Sequence, residues 1–406
     1  MDKKPEKLVP EVRFKGFTDD WEQRKLGEIS KRVRNNDGRM NLPLLTISAR
    51  YGWMTQQSRF SASIAGREKK NYTLLEKHQL SYNHGNSKVA IYGTVYELTD
   101  YDEALVPKVY HSFSLTPENL SKFIEAYFHT KKLDAQLGKF IASTARMDGL
   151  LNISFDDFMK VKLFAPEQCE QSKISRIINL IENLITLQQR KLEQLKQLKI
   201  FTLQRMFIDK DCKQPILRFK NFKDNWLPHK FNDIANTFSG GTPAISNKDY
   251  YGGNIPFIRS AEINKNTTQL HLTPDGLKNS SAKFIKKGTL LYALYGATSG
   301  EVGIAQIDGA INQAVMAITL KKDNVYFIKT WLIKNKRKII STYLQGGQGN
   351  LSAKIVKHLK LSLPKIEEEK LISITIMKID SLIKLQQSKI DDLVNLKKYL
   401  LQKLFI

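Results

Sequence analysis

Cysteine is almost missing from the 406-residue chain, which has only Cys169 and Cys212. Two thiols in so long a chain exclude a disulfide framework and a Cys-rich zinc site, and point to a reducing compartment. Acid is scarce too, with 40 Asp and Glu against 64 Lys and Arg, a formal charge of +24. An imbalance of that size calls for a polyanion, nucleic acid before others, with a merely basic solvated surface as the alternative. Nowhere do eighteen apolar residues run together, and the opening MDKKPEKLVPEVRFKGF has no apolar core of a leader. A cytoplasmic chain, neither secreted nor membrane-spanning, is therefore expected. Motifs of catalysis are lacking as well. There is no G-x-x-x-x-G-K-[ST] loop, no H-E-x-x-H, no C-x-x-C pair, and the seven histidines stand singly. Gly296 to Gly300 invites a phosphate-loop reading, but no Lys-Ser or Lys-Thr follows and its flanks read as strands. The expectation is a chain without catalytic residues, metal or cofactor of its own.

What is present is a repeat. Arg13, Phe14, Lys15, Phe17, Asp19, Trp21, Lys25 and Ile29 recur as Arg218, Phe219, Lys220, Phe222, Asp224, Trp226, Lys230 and Ile234, an offset of 205. LFAPEQCEQSKIS from Leu163 recurs as LSLPKIEEEKLIS from Leu361, an offset of 198. The chain is two copies of one plan: lead-in, variable domain, proline, long helix. Pro166 and Pro364 follow short apolar runs and precede helical patterns, which marks strand-to-helix boundaries. Behind them lie heptad seams: Ile174, Ile178, Ile181, Ile185, Gln188, Leu192 and Leu195, then Ile372, Ile376, Ile379, Ile383, Gln386, Ile390 and Leu393. Each helix runs about forty residues, roughly 60 Å at 1.5 Å per residue, and nothing of that length is stable alone. The two should pack on each other as an antiparallel coiled coil. A glutamine at the same seam slot of both copies is a candidate for fixing register.

The predicted organisation is a mixed α/β (α+β) fold with pseudo-twofold character. A first domain with lead-in spans 1–165, a first spacer helix and linker 166–210, a second domain with lead-in 211–363, and a second spacer helix 364–406. Within the domains, short β-rich runs are expected at Leu44–Ser48, Lys88–Tyr92, Val109–Leu115, Thr289–Leu294, Val302–Ile307 and Ala314–Leu320, with helical stretches at 117–137 and 324–344. The lead-in aromatics Phe14, Phe17, Trp21, Phe219, Phe222 and Trp226 fit either of two uses, a docking strip for a partner or an anchor onto their own domain.

Together these pieces carry a resemblance. The doubled F-x-x-F-x-x-x-W lead-in, Ser239-Gly240-Gly241-Thr242-Pro243, Ile255-Pro256-Phe257-Ile258-Arg259-Ser260, Asn312-Gln313-Ala314-Val315 and the closing heptads look like the specificity subunit of Type I restriction-modification systems. In the first half the match is looser: Ile47-Ser48-Ala49-Arg50 stands where the second half has Arg259-Ser260-Ala261-Glu262, and no GGTP is present. The resemblance implies two target-recognition domains, each reading one half of a split, asymmetric site in double-stranded DNA, with the helix pair setting the gap. It also implies two methyltransferase subunits and, through the assembled complex, restriction subunits. S-adenosylmethionine, ATP and Mg would then belong to those partners. No Asn-Pro-Pro-aromatic or Asp-Pro-Pro-aromatic tetrapeptide occurs here, so adenine-methylating chemistry has no centre in this chain. A stand-alone DNA-binding repressor or architectural protein is the alternative.

Base edges are read by Arg, Lys, Asn, Gln, Ser and Thr, and phosphates are held by cations and hydroxyls. The candidates in the first domain are Ser48, Arg50, Tyr51, Arg59, Tyr82, Asn83, Asn86, Ser87, Lys88 and Arg146. Those in the second are Thr242, Arg259, Ser260, Lys278, Ser280, Tyr292, Tyr295, Ser299, Gln348 and Asn350. Gly241 and the glycines between 346 and 349 would let backbone approach the duplex.

Overall fold

A computed structural model describes residues 8–60, 66–85, 87–142, 150–209, 212–343 and 350–406. The chain packs as two compact units: residues up to Arg190 together with Gln387–Ile406, and Lys191–Gln386. The long helices, expected as segments of their own, are each shared between the units.

In the first unit a four-stranded antiparallel sheet runs in the order Ser30–Arg32, His111–Leu115, Leu80–Asn83, Thr94–Glu97. Helix Ser121–His129 covers it, so that Leu80, Tyr82, Val95 and Phe113 share a core with Phe123, Ile124 and Tyr127. Beside it, Leu45–Ser48 pairs with Gly52–Thr55 and Thr73–Glu76 with Glu103–Val106, and a parallel bridge from Leu44 to Leu105 joins the two ribbons. The expected run at Lys88–Tyr92 is a turn instead. Ser87 and Ala90 exchange backbone hydrogen bonds and Gly93 sits at φ +81°, which delays the strand to Thr94.

The second unit repeats the layout. One sheet runs Ala235–Ser239, Val315–Leu320, Leu290–Ala293, Val302–Ile304, and the other Leu270–Leu272, Tyr251–Ile258, Gly309–Ile311, Lys283–Ile285, with Tyr251–Ile258 parallel to Gly309–Ile311. Helix Val325–Tyr343 packs on the first sheet through Phe327, Ile328 and Leu332.

Pro166 and Pro364 stand just ahead of helices Gln168–Met206 and Ile366–Lys403, as their placement predicts. In the first unit Ile174 and Ile178, near the start of one helix, share a core with Leu401, Leu404 and Phe405 at the end of the other. In the second unit Met206 and Phe207 share a core with Ile372 and Ile376. Start meets end both times, so the packing is antiparallel. Glu182 bonds Lys397 at 2.8 Å and Lys199 bonds Asp380 at 2.6 Å; 182 to 199 and 380 to 397 are equal intervals, so one register serves both units. Ile181, Leu192, Ile379, Gln386 and Ile390 are buried on the seam, and Ile185, Gln188, Leu195, Ile383 and Leu393 are half-buried.

The lead-ins anchor their own units. Trp21 lies edge-on to Phe123 and Phe405, and Trp226 edge-on to Phe207 and Phe327. Arg13 clamps Glu170 with two bonds of 2.8 Å, and Arg218 does the same to Glu368. The backbone N–H of Val12 reaches the Lys403 carbonyl, and that of Leu217 the Arg205 carbonyl, each at 2.9 Å. Of the two uses open to the tryptophans, anchoring is the one realised: they are 1% and 3% exposed.

Candidate nucleic-acid interface

In the second unit, strands Tyr251–Ile258 and Gly309–Ile311 end at one rim, and Lys283 pairs with Ile311 there. Arg259, Ser260, Asn312 and Gln313 leave from this rim, and Ser280 approaches it. The loop Ser239–Pro243 crosses it on two glycines that have no room for a side chain. A Cβ on Gly240 would meet the Ile311 carbonyl oxygen at 1.8 Å, and one on Gly241 the Ser281 Oγ at 1.8 Å. This close approach carries Thr242 out to the surface, where its hydroxyl donates to Gln313 Oε1 at 2.6 Å. Gly241 thus serves packing within its own domain rather than approach to a duplex. Past Leu290–Ala293, Tyr295 is bridged to Asn350, whose Oδ1 accepts the Gly296 N–H at 3.1 Å. Ser280 Oγ accepts the Ala282 N–H at 3.3 Å, and Lys278 is exposed at the end of the short helix Pro274–Lys278.

Arg259 is half-buried and engaged internally. Its Nε and Nη2 donate to Glu262 at 3.2 and 3.1 Å, and Nη2 also to Gln269 at 2.8 Å. Burial acts to raise the Glu262 pKa, but the bonds from Arg259 and the Gln269 N–H hold it below the usual range. Arg259 therefore steadies the rim before it can touch anything else.

In the first unit the candidates gather around the Ile47 carbonyl, which accepts from Arg59 and, at 3.0 Å, from Asn83 Nδ2. Ser48 Oγ accepts the N–H groups of Arg50 and Tyr51 at 3.3 Å each, closing the hairpin between Leu45–Ser48 and Gly52–Thr55. That turn leaves Arg50 and Tyr51 exposed, with the guanidinium 5.6 Å above the ring. Lys88 is exposed nearby in sequence, on the turn braced by Ser87 Oγ.

Three candidates belong to the core and leave the interface. Tyr82 and Tyr292 are 0% exposed. Tyr82 stacks on Phe158 at 4.3 Å and donates to the Tyr92 carbonyl at 2.6 Å, and burial pushes the Tyr292 hydroxyl up to about 12. Each lies two residues after a buried leucine on the same strand face, so the pleat turns it inward. Ser299 is 6% exposed and donates to the Leu294 carbonyl at 3.1 Å. Asn86, Arg146, Gln348 and the glycines between 346 and 349 lie outside the described residues. Gln313 was not among the candidates although its motif was visible; it stands exposed beside Thr242, after Asn312, a turn former that exposes the next residue.

Glu125, His129 and Glu182 bring one ligand atom each within 4.8 Å of one another. The charge is already balanced there: Lys122 lies 3.3 Å from Glu125 and 2.7 Å from Glu182, which also holds Lys397. Burial pushes Glu125 up to about 7 and His129 down to about 4. His129 Nε2 lies 3.0 Å from the Val95 carbonyl oxygen. Lys122 and Lys397 already pair with these carboxylates, so the cluster forms an ion-pair network joining the domain to both long helices. No helix among the described residues is long and apolar enough to cross a membrane.

Two α/β units sharing a pair of antiparallel helices, with polar loops gathered at strand ends, form a duplicated scaffold. Residues 223–395 match the family model of the Type I restriction modification DNA specificity domain. The chain is 25% identical over 397 residues to the putative type I restriction enzyme MjaX specificity subunit of Methanocaldococcus jannaschii, covering 89% of this chain and 87% of that one. It is 27% identical over 167 residues to the MjaIX specificity subunit of the same organism, a match spanning 38% of either chain. The crystal structure of the Type-I restriction-modification S subunit from M. genitalium shares the fold, with TM-score 0.63 at 14% identity over 98% of this chain and 99% of that one. A chain from a structure of complex assembly and conformational transition of the type I R-M system does so at TM-score 0.56 and 14% identity, over 95% and 97%. The likeness to Type I restriction-modification specificity subunits thus covers residues 223–395 by family model and most of the chain by sequence relative.

Proposed function

We propose that each unit reads one half of a split site in double-stranded DNA, that the helix pair fixes the gap between the halves, and that the chain supplies the address for catalysis carried out by others. The observation that carries this is the pattern of likeness between the units. Their frames match bond for bond at Arg13–Glu170 and Arg218–Glu368, while the exposed rim residues differ, Arg50 and Tyr51 in one and Thr242 and Tyr295 in the other. Two equal frames with unequal tips suit a bipartite, asymmetric target. The charge of +24 supplies the sequence-independent part of the attraction.

Two methyltransferase subunits would dock on the outward faces of the helices, and restriction subunits would join through the assembled complex. Leu184 and Leu187 are 37% and 59% exposed, and the same slots of the second copy hold Leu382 and Leu385 at 49% and 54%. Apolar faces of this kind on well-formed helices are covered in an assembly. Their occurrence once per unit fits two copies of one partner. S-adenosylmethionine, ATP and Mg would be held by the partners, leaving this chain non-catalytic.

Long-read methylation mapping in cells carrying the methyltransferase genes, with and without this chain, tests the proposal. A new split adenine motif that depends on the chain supports it. Sequence-specific DNA binding by the purified chain alone, with no methylation change, would favour a repressor.

A further inference from the structure

The turn that carries Gln313 occurs twice. Val315 N–H bonds to the Asn312 carbonyl at 3.2 Å, and Tyr110 N–H to the Pro107 carbonyl at 3.0 Å. Each turn follows a strand whose last residue, Ile311 or Val106, is fully buried, and each leads into a strand of the four-stranded sheet. The second residue of the turn is Gln313 in one unit and Lys108 in the other, an offset of 205, and both are exposed. The third residue is pinned from below in both. Ala314 O accepts the Leu294 N–H at 2.8 Å, and Val109 O lies 2.8 Å from Nε2 of His84, which is 2% exposed. A turn closed by its own hydrogen bond and held at its third residue presents its second from a rigid base.

The chemistry of the two tips agrees. The Thr242 hydroxyl occupies Gln313 Oε1 and fixes the carboxamide plane, so that the amide NH2 is the group left to offer, with no partner among the described residues. Lys108 carries donors and no acceptor. Both tips therefore present donors. In the major groove, donors read N7 and O6 of guanine, N7 of adenine or O4 of thymine. A carboxamide oriented in advance by Thr242 suits a directional base edge, whereas a phosphate needs no such alignment. Ordering before contact also lowers the entropy lost on binding.

We infer that Gln313 and Lys108 are specificity-determining residues, each reading a hydrogen-bond acceptor on a base edge in the half-site of its own unit. The inference rests on the DNA-reading role proposed above. Its test is methylation mapping of the complex co-expressed with its methyltransferase subunits, comparing the native chain with Gln313→Glu, Gln313→Ala, Lys108→Glu and Thr242→Val. Gln313→Glu replaces the donor pair by an acceptor of the same shape. It is expected to cut methylation of native sites roughly tenfold or more, the factor of one lost base contact, and to change the base accepted at one position of one half-site. Gln313→Ala and Thr242→Val should relax that same position, and Lys108→Glu should act on the other half-site alone. An unchanged motif in all four variants, uniform loss of methylation with no change of motif while the complex still co-purifies, or all four acting on one half-site would each overturn the inference. Absence of any split motif with the native chain would instead reject the DNA-reading role itself, and the inference with it.

Discussion

Glu369 lies in the first turn of helix Ile366–Lys403 and is 1% exposed. Its Oε2 accepts the Asn324 N–H at 2.7 Å, ahead of helix Val325–Tyr343, and its carboxyl is buried beside that of Asp323, with which it shares a hydrogen bond. Burial first, and the nearby Asp323 carboxylate after it, push the Glu369 carboxyl up to about 8. Below its ordinary value of 4.5 the group is protonated in both the folded and the unfolded chain, and costs nothing. Between there and about 8 the unfolded chain ionises while the folded one keeps its proton, so stability falls as pH rises, by up to about 1.4 kcal/mol per pH unit. The first unit shows what fits in its place. Gln171, at the offset of 198, accepts the Leu120 N–H at 3.0 Å and donates to the Pro166 carbonyl at 2.9 Å. Glu369→Gln should therefore be accommodated, and should stabilise the second unit by less than ~1 kcal/mol at pH 5 but on the order of 4 kcal/mol at pH 8. Hydrogen exchange of the 325–343 amides at the two pH values reads this unit by itself. Gln171→Glu should install the same alkaline loss in the first unit. Equal protection of the Glu369→Gln variant and the native chain at pH 8, or a gain that does not grow with pH, would refute the argument.

Arg218→Ala would leave the Glu368 carboxylate, 1% exposed, without its clamp, and should cost about 3 to 5 kcal/mol in the second unit, measurable as a lowered unfolding midpoint. Gly241→Ala would drive a Cβ to 1.8 Å from Ser281 Oγ; it should displace the Thr242 loop and weaken recognition of one half-site while the other is still read, a split that methylation mapping resolves. A four-residue turn inserted after Gln189 and matched after Gln387 should lengthen the gap of the methylated motif with both half-sites unchanged. An altered half-site at constant gap would defeat the proposed role of the helices.

The long helices were legible because their periodicity is a one-dimensional signal and the 198-residue offset gives it twice. Within the domains, local chemistry was legible but was weighed against the wrong competitor. Tyr82 follows Leu80 and Tyr292 follows Leu290 at the two-residue period of a strand, so a buried leucine already commits the tyrosine to the same face. Arg259 and Glu262 stand three residues apart, close enough to bond across a single turn, and that pair claims the guanidinium first. What no local pattern carries is the crossing of the 239–243 loop over Ile311 and Ser281. Those contacts join segments about forty to seventy residues apart, and only they make Gly240 and Gly241 obligatory and bring Thr242 to Gln313.

The comparison of the two copies sorts the residues further. Where both units need the same bond, the chemistry recurs even when the side chain changes. Glu182 is held by Lys122 and Lys397, while Asp380, at the offset of 198, is held by Tyr326 and Lys199. An acid on one long helix, a lysine from the other and a donor from the domain helix are kept, because a half-buried carboxylate left short of donors is costly. At the turn tips the backbone turn is kept and the side-chain chemistry is not; Gln313 is held by Thr242. Lys108 and Gln313 differ while the turn beneath them is closed in the same way. Matched clamps beneath unlike exposed tips are what two half-sites of different sequence would require.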